Sequence, residues 1–475
     1  MSGDVFGNGM LMSDKTKLLA AFDHRSIFID PDPDPVTSYA ERQRLYDLPR
    51  SAWSDYNPEL ISEGGGVFDR KAKSVELSPE IKKLLSLKTN RMAPNELARA
   101  VLCADADLLW IGGIGTYVKA GGESNAEVGD RANDALRVDG ADLRCKVVGE
   151  GGNLGLTQQG RIEYALGGGR INTDAVDNSG GVDCSDREVN IKILLNAVIA
   201  NDEMTFKQRD RLLKDMTDDV AALVLIDNYR QGEAITLLER GAGALLEDHA
   251  RYMRALQRDG KLDREIENLP DDEELAARAG AQAGLTRPEL AVLMAYGKMA
   301  LYQDLLDSDL PDDDYLMADL LHSFPKQLRK KYRNGIADHP LRRELTATQV
   351  ANSLVNRAGP SFYAALANDT GAGTGDIGWA YVIARDAFDL RHLWRAIGEL
   401  NNQVSADLQG QMLDNISALL RRECAWFLNR TARPLDIGAA MQEYQPGVTE
   451  LCSGIEDLLA EYGTEAHGRR RQELV

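Results

Sequence analysis

The chain lacks the marks of several protein classes. No apolar run approaches the ~18 residues needed to span a bilayer, and MSGDVFGNGM has neither the charged nor the apolar region of a signal peptide. Secretion and membrane insertion are therefore not expected. Cysteine is scarce and scattered: Cys103, Cys145, Cys184, Cys424 and Cys452 form no CxxC pair, which suits neither a disulfide framework nor a zinc knuckle and fits a reducing cytoplasm. Basic charge is in deficit, with 55 Lys and Arg against 75 Asp and Glu, a formal net charge of -20. Nucleic acid or an anionic lipid surface would have to overcome that field, so neither is expected as a partner. What is present is ordinary for a folded soluble chain: 43% hydrophobic and 27% charged residues over 475 positions. At ~150 residues per domain that length amounts to about three domains' worth, enough for a sizeable core.

The texture changes near residue 190. Before it, short apolar runs end in turn or glycine clusters, in KLLAAFD (17–23), DADLLWIGGIG (105–115), CKVVGEGGN (145–153) and RINTDAVDNSGG (170–181), with helical patterns such as NELARAVL (95–102) between them. That alternation predicts βα units on a largely parallel sheet over 1–190. After it, helical periodicity takes over, with Ile235, Leu238, Ala242, Leu245, Tyr252 and Leu256 on one face, and 191–475 reads as an all-helical region. Thr286, Pro288 and Glu289 mark one helix start and Thr346 with Gln349 another. IENLPDDEE (266–274), SDLPDDD (308–314) and ANDTGAGTGD (367–376) read as exposed connectors.

Candidate chemistry lies in the first part. GDVFGNG (3–9) precedes an apolar run ending at Asp23, twenty residues after Gly3, where a dinucleotide-binding unit would place its ribose-binding carboxylate. An ordinary glycine turn explains the same residues equally well. A second group comprises Gly112, Gly113 and Gly115, then Asn153, then Asn178 with Gly180 and Gly181. Carboxyl ends of strands form the ligand crevice in open α/β sheets, and an asparagine offers both a donor and an acceptor to a carboxamide. His24 has no metal-ligand spacing around it, and no metal site is expected.

The runs ISEGGGVFDRKAKS, LLWIGGIGTYVKA, VGEGGNLGLTQ and GRINTDAVDNSGGVDCSDREVN, together with MSGDVFGNGM and LLAAFDHRSIFIDPDPDP, resemble the C-terminal portion of the large bacterial NAD-specific glutamate dehydrogenases over the whole chain. The resemblance implies a Rossmann-like NAD-binding domain, lacking its first strand, followed by a C-terminal helical domain. It implies that Gly3, Gly7 and Gly9 belong to the pyrophosphate loop, that Asp23 contacts the adenosine ribose and favours NAD, and that Gly113, Gly115, Asn153 and Asn178 approach the nicotinamide end. Ser185 matches a serine that holds the substrate's distal carboxylate, with its hydroxyl expected on the first turn of a helix. The implied reaction is oxidative deamination of L-glutamate to 2-oxoglutarate and ammonium by a cytoplasmic homo-oligomer.

Against the family pattern, the catalytic lysine and its partner aspartate are expected upstream of Met1, and the chain reads as a fragment or an internally started product. Lys71, Lys73, Lys119 and Lys146 read as surface charges or phosphate contacts, and Glu150 either orients ribose or backbone or is a strand-end charge. Two other readings stay open: a dehydrogenase of another amino acid, and a non-catalytic helical assembly module carrying a degenerate nucleotide fold.

Overall fold

In the computed structural model the described residues are 11–431, 433 and 435–462, with side chains described through 455. The glycines expected in the pyrophosphate loop, Gly3, Gly7 and Gly9, lie outside them. The described residues divide into two compact units. The first holds those up to Asp183 with Arg264–Glu274 and Leu285–Val292; the second holds Cys184–Asp263, Leu275–Gly284 and the residues from Leu293 onward.

In the first unit β1 (Ala20–Phe22), β2 (Ser26–Ile29) and β3 (Gly66–Asp69) form an antiparallel sheet in that order. The run KLLAAFD thus ends in a hairpin, and not in the helical crossover that a parallel sheet requires. The cause is local: Asp23 Oδ1 accepts the Arg25 and Ser26 N–H groups, each at 2.7 Å, an Asx turn that reverses the chain at once. Helices α1 (Pro35–Tyr46), α2 (Pro79–Leu85) and α3 (Pro94–Leu102) all begin on proline, where a missing N–H leaves no helical bond unmade. Strand β4 (Val75–Glu76) pairs antiparallel with β5 (Arg91–Met92).

Parallel pairing is confined to two places. β6 (Leu108–Ile111) runs beside β9 (Val147–Glu150), and Arg170 extends that ladder through bonds with Lys146 and Val148. β7 (Val118–Lys119) runs beside β8 (Val138–Asp139). Among the described residues no ladder joins β1 to β6. The unit is α/β with small sheets, completed by α4 (Asn125–Val128), α5 (Gln158–Leu166), α6 (Asp174–Asp177) and the start of α7 (Ser179–Ala200). Ile111, Val118, Val138, Val148, Leu156 and Ile171 pack with Leu102 and Tyr164 as the core beneath the β6–β9 pair. Each such buried aliphatic side chain contributes ~1.5–3 kcal/mol relative to exposure.

The second unit is helical, with α8 (Phe206–Asp215), α9 (Thr217–Arg240), α10 (Ala242–Arg258), the end of α11 (Asp272–Gly280) and most of α12 (Arg287–Leu306). It continues through α13 (Met317–His322), α14 (Lys326–Lys331), α15 (Arg333–Ala337), α16 (Arg342–Ala358), α17 (Phe362–Thr370), α18 (Thr374–Ala387), α19 (Leu390–Glu399), α20 (Ala406–Arg430) and α21 (Ile437–Tyr462). Helix α18 is covered on all sides: every residue from Ala380 to Ala387 but Asp386 is buried, as expected of a central helix. Glu289 reaches back to the Thr286 N–H at 2.6 Å, so that expected start is present. Thr346 is different, since α16 begins four residues earlier and buries Thr346 in its interior. The ion pair between Arg342 and Asp312 holds the earlier turn. The 367–376 connector shrinks to three residues between α17 and α18, and Gly241 breaks the expected stripe so that Leu246, not Leu245, is buried. Among the described residues no helix is long and apolar enough to cross a membrane.

Candidate functional site

Parallel pairing of β6 and β9 puts their carboxyl ends at one edge of the first unit. There the chain runs Gly112-Gly113-Ile114-Gly115 after β6 and Gly151-Gly152-Asn153-Leu154 after β9. The two turns touch: the Gly152 N–H donates to Ile111 O at 2.9 Å, and a Cβ on Gly152 would lie 2.5 Å from Gly113 O. Only glycine allows that approach. Among the described residues nothing lies within 4 Å of where a Cβ on Gly113 would stand, and Gly115 has φ +134°, a conformation rarely adopted by residues with side chains. Ile114 and Leu154, each 64% exposed, form an apolar rim beside them.

Asn178 stands at the junction of α6 and α7, and its Nδ2 donates to Asn153 Oδ1 at 2.9 Å. The sequence pattern puts it at a strand end. Asp174 opens a helix there, and the glycines that resembled a turn lie in the first turn of α7. The pairing leaves the Asn153 amide hydrogens and Asn178 Oδ1 without partners among the described residues. One donor and one acceptor are therefore offered side by side at the edge.

Asp23 reaches the same edge through its neighbour. Phe22 meets the Tyr117 ring edge-on at 5.8 Å, and Tyr117 Oη donates to Ile114 O at 3.3 Å. While Asp23 Oδ1 is spent on the hairpin, Oδ2 is covered and accepts no hydrogen bond among the described residues. A covered acceptor without a donor costs free energy until one arrives.

Beneath the edge lies a polar network that sequence reasoning had found only in Glu150. This residue is fully buried; Arg161 donates to both its oxygens, at 2.7 and 2.9 Å, and the Leu156 N–H donates at 3.1 Å. Burial pushes the Glu150 carboxyl up, with Arg161 pulling against it. Arg161 also pairs with Asp174, whose other oxygen accepts the Leu154 N–H at 2.8 Å. Asp177 accepts the Glu150 N–H at 2.9 Å, and burial raises its carboxyl too. Glu150 is an anchor for the turn, not a free group. No local pattern marks its partners: Arg161 stands among polar residues in TQQGRIE (157–163) and Asp177 among them in TDAVDNS (173–179).

The remaining candidates separate from this cluster. Ser185 belongs to the second unit and lies well inside α7, which starts at Ser179, so it is not on a first turn as expected. Its N–H is deep in the helix because the helix starts six residues before it. Lys119 is paired with Asp139 at 2.5 Å and donates to Ala120 O, Lys146 pairs with Asp107 at the surface, and Lys71 and Lys73 are exposed. None of these four touches the edge residues. Sequence reasoning also passed over Lys298 of the second unit, which donates to Gln231 Oε1 at 3.2 Å and is pushed down to about 8 by burial. Among the described residues no group of three His, Cys, Asp or Glu side chains is placed to hold a metal ion.

Comparison with known proteins adds to this geometry. Residues 1–238 match the family model for the catalytic domain of bacterial NAD-glutamate dehydrogenase, and residues 282–475 match that for the glutamate dehydrogenase C-terminal region. Proteins called NAD-specific glutamate dehydrogenase are 50% identical in Halomonas elongata over 100% of this chain, 52% in Pseudomonas aeruginosa over 97%, and 45% in Mycobacterium tuberculosis over 97%. The chain spans 29%, 28% and 28% of the lengths of those relatives.

Proposed function

This chain belongs to the bacterial NAD-glutamate dehydrogenase family, and from that premise we propose that it supplies the cofactor-binding and C-terminal helical parts of an enzyme that oxidatively deaminates L-glutamate to 2-oxoglutarate and ammonium. NAD, when bound, accepts the hydride lost from the α-carbon of the substrate. The observation that carries the reading is the Asn178–Asn153 amide pair above the Gly113–Gly152 contact, which offers a donor and an acceptor beside a flat, side-chain-free surface. A carboxamide needs that complement, and an aromatic ring needs that surface. Among the described residues Asp23 Oδ2 has no donor, which a ribose hydroxyl would supply. Parallel β6 and β9 with a polar carboxyl edge support a Rossmann-like fold for the cofactor domain, which we take to end within α7 at about residue 190.

In this reading Asn153 and Asn178 orient the nicotinamide, Asp23 selects the unphosphorylated ribose, and Ile114 and Leu154 screen the ring from water. Ser185 is assigned to the substrate's distal carboxylate. Activation of water by a lysine is assigned outside this chain, because Lys119 and Lys146 are held in ion pairs. Titration of the purified chain with NAD and NADP tests the cofactor half, NAD binding tighter; equal affinity for the two overturns it. Deleting the gene should abolish glutamate-dependent NADH formation in cell extract, and restoring it should bring the activity back. Activity that survives deletion overturns the substrate half.

A further inference from the structure

Arg287 comes from the later half of the chain, yet it packs in the first unit. It is 8% exposed, and its Nε and Nη2 both donate to Asn172 Oδ1, at 3.2 and 2.9 Å. Asn172 Nδ2 in turn donates to Asp177 Oδ1 at 2.8 Å, while Asp177 Oδ2 receives the Glu150 N–H at 2.9 Å. Asp177 is the residue before Asn178, whose own N–H is held by Asp174 O at 2.7 Å. Each step fixes the next: a guanidinium fork sets which way the Asn172 amide faces, that amide sets the Asp177 carboxylate, and the carboxylate ties the end of β9 to the end of α6. Asn153 follows β9 and Asn178 follows α6, so the separation of the paired amides depends on this tie. The same segment is braced again where Gln158 Nε2 donates to Pro288 O at 3.3 Å.

We propose that Arg287 is a positioning residue of the nucleotide site, acting through Asn172 and Asp177 to set the Asn153–Asn178 pair for the nicotinamide end of the cofactor. The inference rests on the functional reading above. It assigns to the later half of the chain a role in cofactor geometry. Arg287 touches no reacting group; its effect passes through the Asp177 carboxyl, which burial pushes up while the Asn172 and Glu150 hydrogen bonds, and then the Arg287 charge, pull against it.

The test compares NAD with ADP-ribose, which has both ribose groups but no nicotinamide ring. Calorimetric titration of the whole chain should show Arg287→Gln weakening NAD roughly 3- to 30-fold, as expected for loss of one link in a buried polar chain. ADP-ribose affinity should stay within about twofold. Arg287→Lys keeps one donor to Asn172 and should recover part of the loss. Asn172→Ala should match Arg287→Gln, and the double variant should be no worse than either, since both break one chain. Equal weakening of both ligands would mark Arg287 as merely structural, and NAD affinity untouched by Arg287→Gln would overturn the inference alone. A wild-type chain that binds ADP-ribose as tightly as NAD removes the nicotinamide contact and overturns the functional reading with it.

Discussion

In the first unit Arg161 meets Glu150 and Asp174, and those carboxylates also take backbone N–H groups from Leu156 and Leu154. In the second, Arg385 of α18 meets Asp319 of α13 and its own neighbour Asp386, and Arg391 of α19 completes the set. All four oxygens of Asp319 and Asp386 accept from arginines. One network therefore holds the shape of a turn, while the other joins three helices. Burial opposes the charge on both arginines, yet the surrounding carboxylates raise both above their usual value. The same chemistry serves a site in one place and a core in the other, and what distinguishes them is where the spare hydrogen bonds go.

Removing each arginine tests that distinction with the largest effect. Arg161→Met leaves the buried Glu150 without its cation and Arg385→Met leaves Asp319 and Asp386 to Arg391 alone; each breaks a buried ion pair and should cost ~3–5 kcal/mol in denaturant unfolding. The two should part in ligand binding. Arg161→Met should also weaken NAD, because the Leu154 and Leu156 turns lose their anchor, whereas folded Arg385→Met should bind NAD as wild type does. Equal loss of NAD affinity in both would erase the difference between turn-holding and helix-joining networks.

A second contrast concerns acid. His249 of α10 is fully buried with neither ring nitrogen hydrogen-bonded among the described residues, and burial pushes it down to about 4. The unfolded chain binds the proton near pH 6.5 and the native one only near 4, so stability is complete above the upper value and falls as pH drops through that window. The difference corresponds to about 3 kcal/mol. His249→Leu should flatten the dependence of unfolding free energy between those values; a slope unchanged by the substitution would assign acid sensitivity to other groups.

How much of this was legible beforehand follows the length of the signal. Strand ends at 108–115 and 147–153 are readable because an apolar run stops in glycines that the fold needs for close approach. The hairpin at Asp23 is not, since strands of three and four residues carry no periodicity, and an aspartate that ends a strand looks the same whether it binds a ribose or its own turn. Gly180 and Gly181 mislead for a similar reason: glycine marks a turn by propensity, but Asp174 and the bonds around it start helices there. Arg287 is invisible to local patterns because its partner Asn172 lies 115 residues away, and Arg161 because Glu150 lies 11 residues back across a turn, outside any helical or strand period. The helical half is readable as a class from its period, while single starts such as Thr346 are not.

Asp23 sharpens the comparison at a smaller scale, because one oxygen serves the fold and the other accepts no hydrogen bond among the described residues. Asp23→Asn keeps an Oδ1 acceptor for the hairpin and removes the charge. NAD should weaken by ~1–3 kcal/mol and NADP should improve or hold level, with thermal stability little changed. An unchanged preference between the cofactors would place the determinant elsewhere.

The finest form of the comparison uses two glycines. Gly152 sits where an added Cβ would press on the Gly113 backbone oxygen at 2.5 Å, and neither turn can move without disturbing the bond from Gly152 to Ile111. Gly152→Ala should therefore destabilise by ~1–3 kcal/mol, the usual cost of overpacking a tight contact. Gly232, in the interior of α9, has nothing among the described residues within 4 Å of the position its Cβ would take. Alanine there restricts the unfolded chain and favours the helix, so Gly232→Ala should stabilise by ~0.5–1 kcal/mol. Urea unfolding of the two variants reads the signs directly. Opposite signs are expected because glycine in the first unit is demanded by the approach of two strand ends, while glycine in α9 is a helical position with room to spare; a loss of stability at Gly232 would mean that α9 packs closely along that face.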